Sequence, residues 1–248
     1  MKKPLVILIT LISLTLLLLG CTAAEARFYL TETRTTVGNS ITTEIFRYNS
    51  DGNVIEIERG TNGKITPEIR EYNADGLLSY KKVGHTDNLN ETYYTYDESG
   101  KVAEERKLLN GTPTSTVSYT YDDEGRVARL VSEGAFAYTE DYEYTDENGS
   151  VIVTRATAAS TTTTETRYND KGDEIAVITG SIETHTEYTY DENGRKISAQ
   201  IKTADGTVMG AVRYTYDKHG NLTKTENLDA IGNAVITVEN TYKENPWE

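Results

Sequence analysis

Residues 188–197 of the chain are Tyr-Thr-Tyr-Asp-Glu-Asn-Gly-Arg-Lys-Ile, and this stretch combines the end of one strand, a tight turn and the start of a second strand. Before the turn, aromatic residues alternate with a polar residue, which is the period of a half-buried strand with its rings on one face. Asp and Asn start turns by bonding to nearby backbone, and Gly supplies the positive φ that closes a hairpin. The stretch therefore predicts one β-hairpin.

The same motif, Tyr followed by polar residues, Gly and a branched aliphatic residue, recurs along the chain. Successive motif tyrosines are 24, 24, 25, 23, 24, 22 and 26 residues apart, and one further tyrosine follows after 26. Such regularity indicates a repeat architecture. The motif tyrosines are Tyr48, Tyr72, Tyr96, Tyr121, Tyr144, Tyr168, Tyr190 and Tyr216, and the further one is Tyr242.

The repeats predict an all-β fold of tandem hairpins. The threonine-rich stretch from Thr157 to Thr166 is predicted to be a strand because threonine has good β-propensity. Eight hairpins side by side exceed the ~10 strands at which twisted open sheets curl or split. We therefore expect a curved or spiralling antiparallel sheet, whose last edge Asn245-Pro246-Trp247 would protect.

The N-terminus has the parts of an export signal. Met1-Lys2-Lys3 precedes an uncharged stretch from Pro4 to Gly20, and Cys21 follows as the only cysteine. This arrangement resembles a bacterial lipobox, in which the sulfur is acylated and the preceding residues are removed. An uncleaved membrane anchor is the alternative, since about twenty apolar residues can span a bilayer. Both interpretations put the rest of the chain outside the cytoplasm.

The sequence thus divides into a signal peptide (1–20), a lipidated Cys21 with a linker or first strand (21–38), and the hairpin array (39–248). We expect attachment to a membrane through the N-terminal lipid, in the bacterial cell envelope. Thr22 replaces the Asp that resembles an inner-membrane retention signal, which favours the outer membrane.

Charge and motifs exclude several classes of function. The net charge is −14, and it becomes −16 when Lys2 and Lys3 leave with the signal. This argues against nucleic acid, which requires a basic patch. His85, His185 and His219 fall at unrelated phases of the repeat, and no nucleophile, metalloprotease or phosphate-loop motif is present, so we expect neither an enzyme nor a cofactor.

The turns Asp146-Glu147-Asn148-Gly149 and Asp191-Glu192-Asn193-Gly194 partly resemble calcium loops. A complete loop requires a bidentate Glu six residues after its Gly. Arg155 and Gln200 occupy these positions, so ordinary Asx-type turn chemistry is the favoured interpretation and we predict no metal site.

The unit Tyr-Thr-Tyr-Asp-(Glu/Asp/Lys)-x-Gly-(Arg/Lys/Asn) resembles the YD repeat of the bacterial RHS family, over roughly Phe46 to Tyr242. In larger relatives these repeats form a shell around a toxic domain. This chain is shorter and has no corresponding C-terminal segment, so the resemblance is closer to small YD-repeat surface lipoproteins, which are often described as carbohydrate-binding.

The tyrosines are the best candidates for ligand contact, because flat rings with hydroxyl tips can stack on sugars or on protein side chains. We expect a non-enzymatic, membrane-anchored module that binds a glycan or a surface protein by multivalent contacts. A structural or assembly scaffold in the envelope, with all rings buried, is the alternative. The candidate stacking residues are Tyr94, Tyr119, Tyr142, Tyr188 and Tyr214.

Overall fold

The computed structural model describes residues 27–135, 137–145 and 150–244. Within them every regular element is a β-strand, and none forms a helix long and apolar enough to cross a bilayer. The signal peptide (1–20), Cys21, the turn 146–149 and Asn245-Pro246-Trp247 lie outside the described residues. The eighteen strands are β1 (Tyr29–Val37), β2 (Ser40–Tyr48), β3 (Val54–Thr61), β4 (Lys64–Tyr72), β5 (Leu78–His85), β6 (Asn88–Tyr96), β7 (Val102–Leu109), β8 (Thr112–Tyr121), β9 (Val127–Gly134), β10 (Tyr138–Thr145), β11 (Ser150–Thr157), β12 (Thr161–Tyr168), β13 (Glu174–Thr179), β14 (Ile182–Tyr190), β15 (Lys196–Thr203), β16 (Val208–Tyr216), β17 (Leu222–Asp229) and β18 (Ala234–Lys243).

The sheet is a closed antiparallel barrel. Each strand pairs with the next one along the chain, and β1 pairs with β18 from Tyr29↔Lys243 to Val37↔Ile236. The predicted all-β repeat of hairpins is confirmed, but the prediction of an open, curved or spiralling sheet is wrong. Closure pairs the last two edges with each other, which satisfies backbone groups that an open sheet exposes. With β1 and β18 paired, neither strand leaves an edge to protect.

The turns form two chemically different ends. The first end, the aspartate rim, contains the motif turns and also the start of β1 and the end of β18. The second end, the aliphatic rim, contains the turns at 38–39, 62–63, 86–87, 110–111, 158–160, 180–181, 204–207 and 230–233, and the connection from β9 to β10, of which residues 135 and 137 are described. The described turns of the aspartate rim are 49–53, 73–77, 97–101, 122–126, 169–173, 191–195 and 217–221.

Side chains alternate between an inner and an outer wall. In β2, Phe46 and Tyr48 are half-buried, whereas Ile45 and Arg47 between and beside them are exposed. Side chains on the concave side of a barrel crowd together, so the less exposed set faces inward.

The wall is a single layer with no packed core. Among the described residues, five hydrophobic side chains are buried, and no side chain has less than 2% of its surface exposed. Eighteen strands about 4.8 Å apart and tilted by about 40° give a barrel roughly 35 Å across between backbones. Side chains of this size do not fill such a space, so the fold is a hollow shell. The five buried hydrophobic residues are Ile57, Val117, Leu130, Ala176 and Ala199.

Candidate functional site: the inner wall

The acid residues of the motif turns are used by the turns themselves. Asp191 Oδ1 accepts hydrogen bonds from the backbone N–H groups of Asn193 and Arg195, each at 2.9 Å. Gly194 adopts φ +77° and its N–H donates to the Asp191 carbonyl. No cluster of three or more His, Cys, Asp or Glu residues that could hold a metal ion occurs among residues 27–135, 137–145 and 150–244.

The motif tyrosines connect one hairpin to the preceding one at the aspartate rim. Tyr96 donates a hydrogen bond of 2.6 Å to the carbonyl of Leu78, the first residue of β5. Burial raises the pKa of Tyr96 and raises that of Tyr48 to about 12, so these hydroxyls are protonated donors at neutral pH. The same bond to an early backbone carbonyl of the preceding strand is made by Tyr48, Tyr72, Tyr121, Tyr144, Tyr216 and Tyr242.

Two motif tyrosines depart from this arrangement. Tyr190 donates instead to Asp173 Oδ2 at 2.6 Å, and Asp173 also pairs with Lys196. Tyr168 makes no hydrogen bond within the described part of the chain, although burial and then the negative charge of Glu174 raise its pKa. The motif tyrosines thus join neighbouring hairpins through their hydroxyl groups, and we call these hydrogen bonds the tyrosine latches. Among the motif tyrosines, Tyr168 is the one whose hydroxyl forms no hydrogen bond to a described residue.

The five predicted stacking residues lie on the same face as the motif tyrosines, two residues further from the aspartate rim. Tyr94, Tyr119, Tyr142, Tyr188 and Tyr214 occupy equivalent inner-wall positions, two residues before a motif tyrosine, and all are half-buried. The structure brings them into one interrupted row along the inner wall. Phe46, Arg70, Thr166 and Asn240 occupy the equivalent positions of the other hairpins.

Their hydroxyl groups differ in how they are engaged. Tyr119 donates to Glu105 at 2.9 Å and Tyr142 donates to Glu140 at 2.7 Å. Burial followed by these carboxylates raises the pKa of both. The hydroxyls of Tyr94, Tyr188 and Tyr214 make no hydrogen bond inside the described ranges, although the ring of Tyr188 lies 4.6 Å from Lys196 Nζ. These three hydroxyls are the ones available to a ligand.

Charges on one half of the inner wall neutralise each other in pairs. Glu44 contacts Arg59 at 2.6 Å, and Glu68 contacts Arg70 at 2.7 Å. Glu105 and Glu140 have matching contacts with Lys107 and Arg155 at 3.3 and 3.0 Å. Sequence reasoning missed these pairs. The partners lie either on different strands, where the register determines the contact, or two residues apart on one strand, where both side chains share a face.

The other half of the inner wall is uncharged except at the strand ends, where Glu174 begins β13 and Lys196 begins β15. From β13 through β18 to β1, the residues that face inward between the strand ends are Thr, Val, Ile, Ala, Gly, Asn and Tyr, as in the Thr186↔Ile201 and Ala199↔Val212 pairs. Thr164 and Thr179 bond to each other at 2.9 Å and so leave little polarity unsatisfied. The shell therefore offers a weakly polar surface that carries two of the candidate rings, Tyr188 and Tyr214.

The outer wall has the opposite character, because many of its positions carry charged residues that pair with each other. Arg47 contacts Glu56 and Glu58 at 2.9 and 3.1 Å, and Arg129 contacts Asp141 at 2.7 Å. Two tyrosines that sequence reasoning did not single out also face outward. Tyr80 and Tyr93 pair across β5 and β6 with ring centroids 4.8 Å apart. Tyr93 directly precedes Tyr94, and because successive residues of a strand point to opposite faces, Tyr93 faces outward while Tyr94 faces inward.

Two family models match parts of the chain, and one solved structure shares its fold. A family model described as Teneurin YD-shell matches residues 91–233, and one described as uncharacterised protein matches residues 24–128. No curated protein matches the chain. A porin-like protein from Bacteroides uniformis superposes with a TM-score of 0.52 at 11% identity, covering 88% of this chain and 97% of that one. A porin-like protein from Bacteroides vulgatus gives 0.45 at 12% identity, covering 88% and 99%.

Proposed function

We propose that this chain, which belongs to the Teneurin YD-shell family, is a lipid-anchored extracytoplasmic module that binds an extended ligand, a glycan or a segment of a surface protein, along its inner wall. The observation that carries the proposal is the row formed by the half-exposed rings of Tyr94, Tyr119, Tyr142, Tyr188 and Tyr214. Such rings stack on sugar faces and on protein side chains. They also repeat in register, as multivalent binding requires.

The chemistry of the inner wall limits the class of ligand. The acids Glu44, Glu68, Glu105 and Glu140 on this surface are paired with Arg or Lys, and the strands from β13 to β1 contribute no charge away from their ends. A charged polymer would meet only isolated counter-charges among the described residues, such as Lys81 and Glu174, whereas a neutral polymer would lose little hydration energy. Weak and similar contacts from successive hairpins add to a useful affinity when the ligand is itself periodic.

The ends of the chain support tethering by the aspartate rim. Tyr29 at the start of β1 and Lys243 at the end of β18 lie together at that rim. Cys21 is eight residues before Tyr29, and an extended linker of that length spans at most about 28 Å. A lipid on Cys21 therefore holds the aspartate rim close to the membrane and directs the aliphatic rim away from it.

The charged outer wall supports a shell that stands in water rather than in lipid. A charged residue facing lipid at the middle of a bilayer costs about 2–4 kcal/mol for Arg or Lys. Arg129 and Arg213 occupy outer positions inside their strands and contact carboxylates there. We therefore propose that the lipid, and not the barrel wall, attaches the protein to the membrane, with the outer membrane favoured.

A structural scaffold is the second candidate. The hydroxyls of Tyr119 and Tyr142 are already bonded to Glu105 and Glu140, which is what a purely structural ring would show. Under this alternative the inner wall holds the shell rigid and no ligand enters. The two candidates differ in what single substitutions do to binding.

A glycan array tests the binding proposal directly. The chain from Thr22 onward is the appropriate probe, because every strand from Tyr29 to Lys243 finds its partners within it. Single Ala substitutions at Tyr94, Tyr188 and Tyr214 should weaken binding in small and similar steps. Loss through one substitution alone would indicate a single pocket and contradict the mechanism. No signal across diverse glycans, with pull-downs that recover an envelope protein, would favour the scaffold.

Attachment through Cys21 has its own test. Cells that express the full chain should incorporate labelled palmitate into it, and Cys21→Ala should abolish the incorporation. Retention of the label by the variant would rule out this anchor without affecting the binding proposal.

A further inference from the structure

The two rims of the shell differ sharply in charge. The seven described turns of the aspartate rim contain seventeen charged residues. The nine turns of the aliphatic rim contain two, Asp87 and Asp205. Strand residues within two positions of these nine turns add Lys64, Glu133, Glu183, Lys202 and Asp229, so this end of the barrel still carries far fewer charges than the aspartate rim.

Exposed aliphatic side chains concentrate at the same end. Among the described residues, eleven large hydrophobic side chains are exposed, and seven of them lie in or within two residues of the turns of the aliphatic rim. Ile231 is 85% exposed and Ile182 is 69% exposed. Single exposed hydrophobic residues are normal on protein surfaces, but their concentration at one end of the barrel indicates an interaction site there. The seven are Val37, Ile41, Ile65, Leu109, Ile182, Ile231 and Val235.

The turns themselves do not require these side chains. Their geometry comes from glycines in the left-handed region, such as Gly63 at φ +81° and Gly232 at φ +90°. Ile231 is the residue before that glycine and makes no contact that the turn requires beyond the bond of its backbone N–H to Asp229. A polar residue would serve there equally well, as Asp205 does before Gly206.

We propose that the aliphatic rim is a self-association surface, in which a second copy of this chain docks rim to rim. A twofold contact between two copies would place the apolar arc from Ile182 through Ile231 and Val235 to Val37, Ile41 and Ile65 on both sides of the interface, as an isologous contact requires. Association through any surface near the aspartate rim would bring many like charges together. The aliphatic rim reduces this repulsion, because its turns contain two charged residues and their flanking residues add five, two of which are lysines.

The size of the rim is sufficient for a stable pair. A ring of eighteen strands with a circumference of about 110 Å and a depth of one or two residues presents roughly 1,000 Å². A standard interface buries about 800 Å² on each partner. Because this contact covers the mouth at the aliphatic rim, an inner-wall ligand would enter each shell through the aspartate rim.

A bilayer surface is the other class of occupant, and the residue types argue against it. Segments that insert into the membrane interface combine apolar side chains with Trp, Lys and Arg. Within two residues of the turns of the aliphatic rim there is no Arg or Trp, and five acidic residues outnumber Lys64 and Lys202. In a rim-to-rim pair the two N-termini lie at opposite ends, so anchored copies would join two facing membranes.

The mass of the chain from Thr22 onward, measured by light scattering over a concentration series, tests the proposal. We expect the wild-type chain to be a dimer at micromolar concentration. The variant Ile182→Asp/Ile231→Asp should dissociate at least tenfold more readily. Its matched control is Ile55→Asp/Ile197→Asp at the aspartate rim, where the two side chains are exposed to 37% and 38%, and this control should remain a dimer. Circular dichroism and melting temperature verify that both variants fold.

Several outcomes would overturn the proposal. A wild-type chain that stays monomeric throughout the series contradicts it, and so does a double variant that dimerises as tightly as its control. A monomeric wild type that binds phosphatidylglycerol vesicles through Ile182 and Ile231 would make the membrane the occupant instead. Because these measurements need no ligand, they are independent of the array result for the inner wall.

Discussion

Replacing one latch tyrosine by phenylalanine should cost about 1 kcal/mol of stability. Tyr96→Phe removes the hydroxyl that donates to the Leu78 carbonyl at 2.6 Å and keeps the ring. A hydrogen bond of this kind contributes about 0.5–1.5 kcal/mol net. In a chain of this size about 1 kcal/mol lowers Tm by roughly 2–4 °C. The matched control is Tyr168→Phe, because the Tyr168 hydroxyl has no hydrogen-bond partner among the described residues.

Urea unfolding of both variants, followed by circular dichroism, provides the measurement. The Tyr96→Phe transition should shift to lower urea with an unchanged slope, and Tyr168→Phe should superpose on the wild type. The double variant Tyr72→Phe/Tyr121→Phe should lose about 2 kcal/mol, because these latches are on separate hairpins and distant effects add. Equal losses for Tyr96→Phe and Tyr168→Phe would refute the role of the hydroxyl bond.

Three further perturbations test other parts of the structure. Gly134→Ala should destabilise the shell by about 2 kcal/mol or more, because φ is +109° and a Cβ there would lie 2.3 Å from the Thr114 carbonyl oxygen. The control Gly38→Asn, at φ +56° in open space, should be nearly neutral in the same urea assay. Arg70→Met should cost about 2 kcal/mol by leaving the buried Glu68 carboxylate without its partner, and adding Glu68→Leu should recover part of the loss; no recovery would contradict the pairing. Above pH 10 the unfolded chain ionises its tyrosines, whereas Tyr48 stays protonated in the folded chain because its pKa is raised to about 12. The free energy of unfolding should therefore be complete below pH 10 and fall as the pH rises from 10 to 12. Unfolding that began well below pH 10 would contradict this.

The hairpin unit could be predicted from the sequence because its signals are local. Alternation before Tyr190 and the Asp191-to-Gly194 turn specify two strands and a turn within ten residues. The YD-shell match confirms the resemblance that this motif indicated. Closure could not be predicted in the same way. It depends on the total twist and stagger of eighteen strands and on the pairing of β1 with β18, which are more than 200 residues apart.

The placement of the candidate tyrosines was only partly predictable. Period-two alternation shows that Tyr94 and Tyr96 share a face, but it does not tell which face becomes concave. Alternation alone suggests either that the tyrosine rings are buried in a packed core or that they are exposed on a free surface. The rings are half-buried instead, because the barrel wall is only one layer thick. The inner ion pairs, such as Glu44 with Arg59, connect residues fifteen positions apart and emerge only with the register.

Whether the shell is closed is tested most directly by a disulfide between its first and last strands. Thr36 and Thr237 are direct partners of β1 and β18, and the chain from Thr22 onward has no cysteine of its own. Thr36→Cys/Thr237→Cys should form an intramolecular disulfide under mild oxidation as completely as the hairpin control Thr36→Cys/Ile41→Cys, with the linked peptides identified by mass spectrometry. A disulfide in the control but not between residues 36 and 237 would contradict the closed barrel and restore the open, spiralling sheet.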